Sequence, residues 1–335
     1  MSRVSAIVVG TGSMARHHIK NILSMRNTKL VGFVEVSEHS IQAVQALYSE
    51  AGKRCPPFYV SIKDLVKAQG AADTAFIVTP HSYHLENALD CMKAGMDVFL
   101  EKPMVINGQE AKRMIRARDR YQRLLVVAFP GSLSPTIQKA KELINKGEIG
   151  RVTSISANVY QGWKRGTVGT WRQVPEISGG GFLFDTGSHM INTVVDIAQQ
   201  DVKHVMALMD NCGTPVEINS TISGMFADGS MFSLAGAGDS LHCSSEVLVI
   251  GDQGTIRTGI WGERLEIKKA KGSDFKPVKT RRSKGVWEQF IRVRSGKQEN
   301  PCPPEIGLRF AKLMDMIRKS ADTGKKVTSR ISKKT

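Results

Sequence analysis

The first fifteen residues place the tightest constraint on the fold. Val4–Val9 is an unbroken apolar run of the kind found in parallel strands buried on both faces. It leads directly into Gly10-Thr11-Gly12-Ser13-Met14-Ala15, after which residues 14–25 place Ile19, Ile22 and Leu23 on one helical face. In a strand–turn–helix unit with this spacing, Gly10 permits the tight turn and Gly12 lets the backbone approach a pyrophosphate. Ala15 stands where a third glycine is usual and still allows close helix–strand packing. The helix N-terminus would offer free N–H groups and the positive end of its dipole to the phosphates. The G-x-G-x-x-A spacing alone also fits an ordinary strand–helix turn. The second strand, Leu30–Val36, narrows the choice by delivering Glu35, 23 residues beyond Gly12 and close to the usual offset of about 20. A carboxylate there accepts hydrogen bonds from ribose hydroxyls and repels a 2′-phosphate. Val36, Ser37 and Glu38 supply no cation to hold that phosphate, so the pattern favours NAD and leaves NADP as the alternative.

The alternation continues. Ser40–Ser49, Tyr83–Lys93 and Gly108–Arg120 have helical periodicity, while Asp73–Val78, Asp97–Leu100 and Leu124–Ala128 read as strands. Strand and helix in alternation imply a parallel, doubly wound sheet. The character changes near Pro130. After a helix over Pro135–Lys146 come longer strand-like stretches: Val152–Tyr160, Val202–Asp210, Ser220–Phe226, Ser230–Ala237, Glu246–Gly251 and Gly254–Thr258. Turn pairs such as Asp228-Gly229 separate several of them, as in antiparallel sheets. A helix over roughly Gly187–Ile197 interrupts the series, and Glu305–Ala321 forms the last helix. The expected fold is α/β: a Rossmann dinucleotide-binding domain over 1–128, then an α/β domain over 129–335 built on a large, mostly antiparallel open sheet.

Composition excludes several classes. No apolar run of about 18 residues is present and the start lacks a signal-peptide pattern, so neither a membrane span nor secretion is expected. Five scattered cysteines without a C-x-x-C pair argue against a disulfide framework or a zinc site and for a reduced, cytoplasmic protein. The net charge of +16 and the tail Lys325, Lys326, Arg330, Lys333 and Lys334 raise the question of nucleic acid. No recognition-helix spacing, RNP sequence or finger pattern accompanies the charge. It is read as a solvated surface, with steering of an anionic substrate or of the cofactor's phosphates as a further alternative. Aromatic residues make up 6%, so aliphatic packing should dominate the cores.

Two further clusters carry chemistry. Strand residues 97–100 lead into Glu101-Lys102-Pro103, and the preceding strand leads into Thr79-Pro80-His81 with His84 one turn on. Both fall just past carboxyl ends of strands, where doubly wound sheets bind cofactors. The H-x-x-H spacing of His81 and His84 lacks the further ligands that a metal would need. In the second half, Gly179-Gly180-Gly181 suits a loop whose backbone comes close to a ligand. Asp185 and His189 are four residues apart and share a helical face. A histidine beside a carboxylate is a candidate general base, although such pairs are more often structural.

Together these motifs resemble the Gfo/Idh/MocA oxidoreductases over nearly the whole chain. The resemblance rests on Gly10-x-Gly12-x-Met14-Ala15, Thr79-Pro80 with His84, Glu101-Lys102-Pro103, Gly147-x-Ile149-Gly150, Gly179–Gly181 with Asp185 and His189, and Gly324-Lys325. It implies that Lys102 and His189 flank the substrate carbon with Asp185 as partner acid, and that Trp171-Arg172 faces the nicotinamide. It further implies dimers or tetramers formed through the C-terminal sheet. Trp163 is either a platform for a sugar ring or an ordinary core tryptophan. Two positions depart from the family pattern. Phe129-Pro130-Gly131-Ser132 replaces a familiar substrate contact, and Asn192 stands where an aspartate is common. The expected activity is hydride transfer between a nicotinamide cofactor and a secondary alcohol or ketone of a sugar, inositol or related polyol. A redox-neutral NAD-dependent glycosidase and a non-catalytic dinucleotide- or sugar-sensing protein are the alternatives.

Overall fold

The computed structural model describes residues 3–272 and 274–329. The basic tail residues Arg330, Lys333 and Lys334 lie outside them. The described chain forms two units, one comprising 3–105, 109–128 and 285–304, the other 106–108, 129–284 and 305–329.

The first unit is built on strands β1 (Val4–Val9), β2 (Thr28–Val34), β3 (Phe58–Tyr59), β4 (Thr74–Ile77), β5 (Asp97–Leu100) and β6 (Leu125–Val127), in the order β3-β2-β1-β4-β5-β6. Every neighbouring pair is parallel. The direction of winding reverses between β1 and β4, which makes the carboxyl ends of those strands the ligand edge. Helices α1 (Ser13–Leu23), α2 (Glu38–Glu50), α3 (Ile62–Gln69), α4 (His84–Lys93) and α5 (Gly108–Tyr121) alternate with the strands. The short β3 and α3 were not anticipated from periodicity. The sequence does carry a signal for α3, because Ser61 accepts the Asp64 N–H at 3.1 Å in an S-x-x-D cap.

In the second unit, α6 (Pro130–Leu133) and α7 (Pro135–Asn145) precede β7 (Val152–Tyr160). Short helices α8 (Trp163–Gly166), α9 (Pro175–Ser178) and α10 (Phe182–Asp185) lead to α11 (Gly187–Ala198). Strands β8 (Val202–Asp210), β9 (Asn219–Phe226), β10 (Met231–Ala237), β11 (Ser244–Gly251), β12 (Gly254–Thr258), β13 (Leu265–Lys269), β14 (Lys276–Pro277) and β15 (Val327–Thr328) complete a nine-stranded sheet ordered β14-β13-β12-β11-β7-β10-β9-β8-β15. All pairs are antiparallel except β10 with β7. Residues alternate along the strands: Val205, Ala207, Ile222 and Leu234 are buried, while Met206, Leu208, Thr221 and Met231 stand exposed between them. Helix α11 packs on β7 and β10.

After β14 the chain returns to the first unit as α12 (Val286–Arg294), which departs from the linear domain boundary expected at 128. The aromatic residues are few but concentrated here. Trp287 stacks on Phe76 at 5.5 Å and Phe290 on Phe99 at 5.1 Å, while Phe76 and Phe99 meet at 4.7 Å. Trp287 donates its indole N–H to Thr28 Oγ1 at 3.0 Å, and Arg294 pairs with Asp97 at 2.9 Å. Each ring pair adds about 0.5–1.5 kcal/mol beyond its buried area. Helix α13 (Pro304–Thr323) follows. Among the described residues no helix is long and apolar enough to cross a membrane, and all five cysteines are free.

Candidate active site

The glycine turn follows β1 as its spacing predicts. Gly10 has φ +82°, and a Cβ there would meet the Val78 carbonyl at 2.8 Å, so glycine is required by both backbone and packing. Gly12 differs. A Cβ added to it would meet no protein atom within 4 Å, so internal packing makes no demand for glycine. Its smallness matters only to something approaching from outside. No side chain caps α1 and no acidic residue lies in its first turn. The N–H groups of Ser13, Met14 and Ala15 are therefore of the kind an anion takes up at a helix start. These features fit a dinucleotide pyrophosphate.

Glu35 is the first residue after β2. Its Oε2 accepts from Thr11 N at 2.8 Å and Thr11 Oγ1 at 3.0 Å, and its Oε1 from Val36 N at 2.8 Å and Ser37 N at 2.9 Å. Burial works to raise its pKa, but the four hydrogen bonds outweigh burial and hold the carboxyl below its ordinary value. The clamp therefore contributes fully above the unfolded-state pKa and is lost as pH falls through the lower folded-state value. An acid titration of the 15N-labelled protein should show the amides of Thr11, Val36 and Ser37 moving together, with a midpoint below that of an ordinary glutamate. Independent midpoints, or one at the ordinary value, would contradict the clamp.

At the ends of β4 and β5 the histidines depart from expectation. His84 is completely buried, with Nδ1 2.8 Å from the Pro103 carbonyl and Nε2 2.9 Å from the Thr79 carbonyl. Both ring nitrogens are thus committed to backbone, and neither is presented to a cofactor or a metal. His81 is likewise buried, its ring 5.7 Å from that of His84. Glu101 turns inward: Oε1 lies 2.9 Å from His18 Nε2 and Oε2 accepts the Lys102 N–H at 3.0 Å. Sequence reasoning missed His18, whose ring also packs on Phe76 at 4.8 Å. Lys102 is half-buried at the strand end, where the doubly wound rule puts it.

In the second unit, α10 carries Asp185 and α11 carries His189, joined through Thr186 in helical conformation, so the two lie about one turn apart. Asp185 Oδ2 accepts from Trp163 Nε1 at 2.9 Å and from Arg172 Nε at 3.0 Å. The Arg172 guanidinium also lies over the Trp171 ring at 4.6 Å. Trp163 is buried at 5% exposure and meets Phe182 edge-on. The core alternative thus describes Trp163 better than a sugar platform does, and its role here is to fix Asp185. The His189 ring is flanked by Phe129 at 5.9 Å and by half-buried Trp261 at 5.7 Å. Trp261 sits in a turn whose amide donates to Glu263 at 3.0 Å, and no motif signalled it.

The three glycines call for a correction. They do not open the backbone to a ligand but pack against this unit's own atoms. A Cβ on Gly179 would meet Ile106 at 2.5 Å, on Gly180 Phe184 at 2.6 Å, and on Gly181 the Glu217 carbonyl oxygen at 2.0 Å. Glu217, another residue missed from sequence, accepts from Gly181 N at 2.7 Å and Phe184 N at 3.1 Å, securing the start of α10. Desolvation pushes its pKa up, and those N–H donors oppose the rise. The two departures from the family pattern also prove to be partners, since Asn192 Nδ2 donates to Ser132 Oγ at 2.8 Å.

A six-stranded Rossmann sheet with this turn, followed by a separate sheet unit carrying an acid–histidine helix pair, defines a dinucleotide-binding oxidoreductase. The chain belongs to the Gfo/Idh/MocA family: residues 4–129 match its NAD-binding Rossmann fold and residues 137–257 its C-terminal domain. It is 25% identical to Oxidoreductase P35 of Formosa agariphila, over 94% of this chain and 98% of that protein. It is 26% identical to a D-xylose 1-dehydrogenase [NADP(+)] of Haloarcula marismortui, over 57% of this chain and 54% of the relative. In fold it is similar to the WlbA dehydrogenase of Bordetella pertussis, solved with NADH and UDP-GlcNAcA. That likeness has a TM-score of 0.82 at 22% identity and covers 99% of each chain.

Proposed function

We propose that the protein transfers a hydride between NAD, in preference to NADP, and a secondary alcohol or ketone of a sugar, inositol or related polyol. The observation that carries this reading is the helix pair of the second unit. Asp185 is clamped by Arg172 and Trp163, and His189 follows one turn later between Phe129 and Trp261. The relatives that act on sugars support the substrate class.

When bound, the nicotinamide supplies the hydride acceptor or donor. In the oxidative direction His189 takes the hydroxyl proton at an imidazole nitrogen. Lys102 donates a hydrogen bond to the same oxygen and stabilises the negative charge that develops there. Asp185, already anchored, keeps the helix turn bearing His189 in place. Arg172 neutralises that carboxylate, and with Trp171 it provides the surface expected to face the nicotinamide. In the reductive direction His189 returns the proton. The exposed face of the nine-stranded sheet, with Met206, Leu208 and Met231, is the surface we assign to a homodimer or homotetramer. A cytoplasmic location belongs to the same proposal and accords with the scattered free cysteines.

The deciding experiment is a screen of inositols, aldoses, uronates and anhydrosugars for reduced-cofactor absorbance, first with NAD and then with NADP, with chromogenic glycosides in parallel. Reduction by at least one polyol, faster with NAD, is expected. Release from a glycoside without net cofactor reduction would replace this reading by the redox-neutral one. Glu35→Ser combined with Val36→Arg should move the ratio of kcat/KM values towards NADP by roughly 10–100-fold, the worth of one charge-assisted hydrogen bond to phosphate. A wild type that already prefers NADP would overturn the role given to Glu35.

A further inference from the structure

His84 is a buried titratable group for which the proposed reaction has no use, and its surroundings are unusual. Nδ1 lies 2.8 Å from the Pro103 carbonyl oxygen and Nε2 2.9 Å from that of Thr79. A carbonyl oxygen only accepts hydrogen bonds, and a neutral imidazole has a single N–H. In either neutral tautomer one ring nitrogen would therefore point its lone pair at a carbonyl at hydrogen-bond distance, without solvent to relieve it. Only the doubly protonated ring satisfies both contacts.

The charged groups around the ring bear on the same question. Glu101, at the end of β5, attracts it. The Glu101 carboxylate is itself buried to 13% side-chain exposure in its pair with His18. On the other elements packed against α4, Lys63, Asp64 and Lys67 of α3 are exposed, β4 has no charged side chain, and Asp97 at the start of β5 pairs with Arg294. Glu86, Asp90 and Lys93 of α4 itself are exposed, and His81 contributes a ring contact at 5.7 Å. Burial is the largest influence on His84 and holds its pKa below the ordinary value, although the Pro103 and Thr79 carbonyls, Glu101 and the Met104 backbone push it up. Against that downward shift stands the geometry: each ring nitrogen faces a carbonyl oxygen at hydrogen-bond distance, which only a protonated nitrogen can satisfy.

We propose that His84 is a positioning residue held as an imidazolium, which ties the turn after β4 to the turn after β5 and thereby fixes where Lys102 leaves the sheet. Thr79 and Pro103 belong to different strand ends, and the His84 ring joins them. The charge is balanced inside the unit by Glu101, whose other oxygen holds the Lys102 N–H. One carboxylate thus attracts the clamp and orients the backbone of the lysine that the clamp positions. The charge state follows from the geometry alone. The consequence for turnover rests on the role proposed for Lys102.

The test is a two-bond 1H–15N correlation spectrum of the full-length protein labelled at histidine nitrogens. The His84 signals are identified as those missing from His84→Gln or, if that variant does not fold, by their contacts to Thr79 in wild type. Two protonated ring nitrogens at pH 7.5, where exposed histidines are neutral, are expected. One unprotonated, pyridine-type nitrogen would overturn the charge assignment. In the folded His84→Gln variant, kcat should fall by roughly 10–100-fold while the Kd for NAD, read by fluorescence titration, stays within about threefold, the pattern of a displaced catalytic group. An unchanged kcat would overturn the positioning role. Absence of turnover in wild type with every polyol would instead defeat the proposed function and leave the spectroscopic result standing.

Discussion

His189→Ala is expected to lower turnover by about 10²–10⁴-fold, the usual worth of a positioned general acid–base. The side chain is half-buried and flanked by two aromatic rings rather than packed into the core, so truncation should leave the second unit folded. The dinucleotide turn lies in the first unit, so the Kd for NAD should scarcely change. The decisive comparison is kcat at saturating cofactor and substrate. A variant that keeps wild-type kcat would remove His189 from the chemistry and leave the helix pair without a catalytic role. A variant that loses NAD affinity in parallel would show that the loss came from disturbed binding instead.

Gly181→Ala is expected to destabilise the second unit measurably. Gly181 has φ −101°, so backbone strain is not the issue. The obstacle is space, because the new methyl would lie 2.0 Å from the Glu217 carbonyl oxygen and 2.8 Å from its nitrogen. Both are backbone atoms and cannot rotate away. Overpacking of this kind costs about 1–3 kcal/mol. The displacement also falls on the first turn of α10, where Asp185 N donates to the Gly181 carbonyl at 2.8 Å. A lowered denaturant midpoint together with a lowered kcat is expected. Gly166→Ala is the control, since its Cβ would meet nothing within 4 Å and its φ is not positive, and it should stay within about 0.5 kcal/mol of wild type. Equal stability of the two variants would refute the packing role given to Gly181.

The parts of the fold visible in the sequence were those set by local pattern. A continuous apolar run marks β1, and β5, β7, β8 and β12 are legible as strand-like stretches with their observed ends. The dinucleotide turn was legible because its glycines and Glu35 have fixed spacing. What could not be read depends on contacts between distant segments. Glu217 reaches Gly181 and Phe184 across more than thirty positions, and nothing local distinguishes it from a surface glutamate. The use of the glycine run is not legible locally, because room for a ligand and room for the unit's own backbone leave the same sequence trace. Trp163 held two alternatives open until its N–H was located on Asp185. Ser132 and Asn192 stand sixty positions apart in the sequence, and only the folded unit joins them.

The return of α12 to the first unit has a consequence for how the protein is made. A ribosome that has finished β6 has delivered every strand of the Rossmann sheet but not Trp287 or Phe290. Phe76 and Phe99 therefore wait without their aromatic cover while β7 to β14 are synthesised, roughly ten to thirty seconds at ordinary elongation rates. During that interval the emerging chain displays a patch of rings that a chaperone, or another nascent chain, could seize. Expression of residues 3–128 alone would make that temporary condition permanent, whereas a fusion that restores 285–304 through a linker would end it.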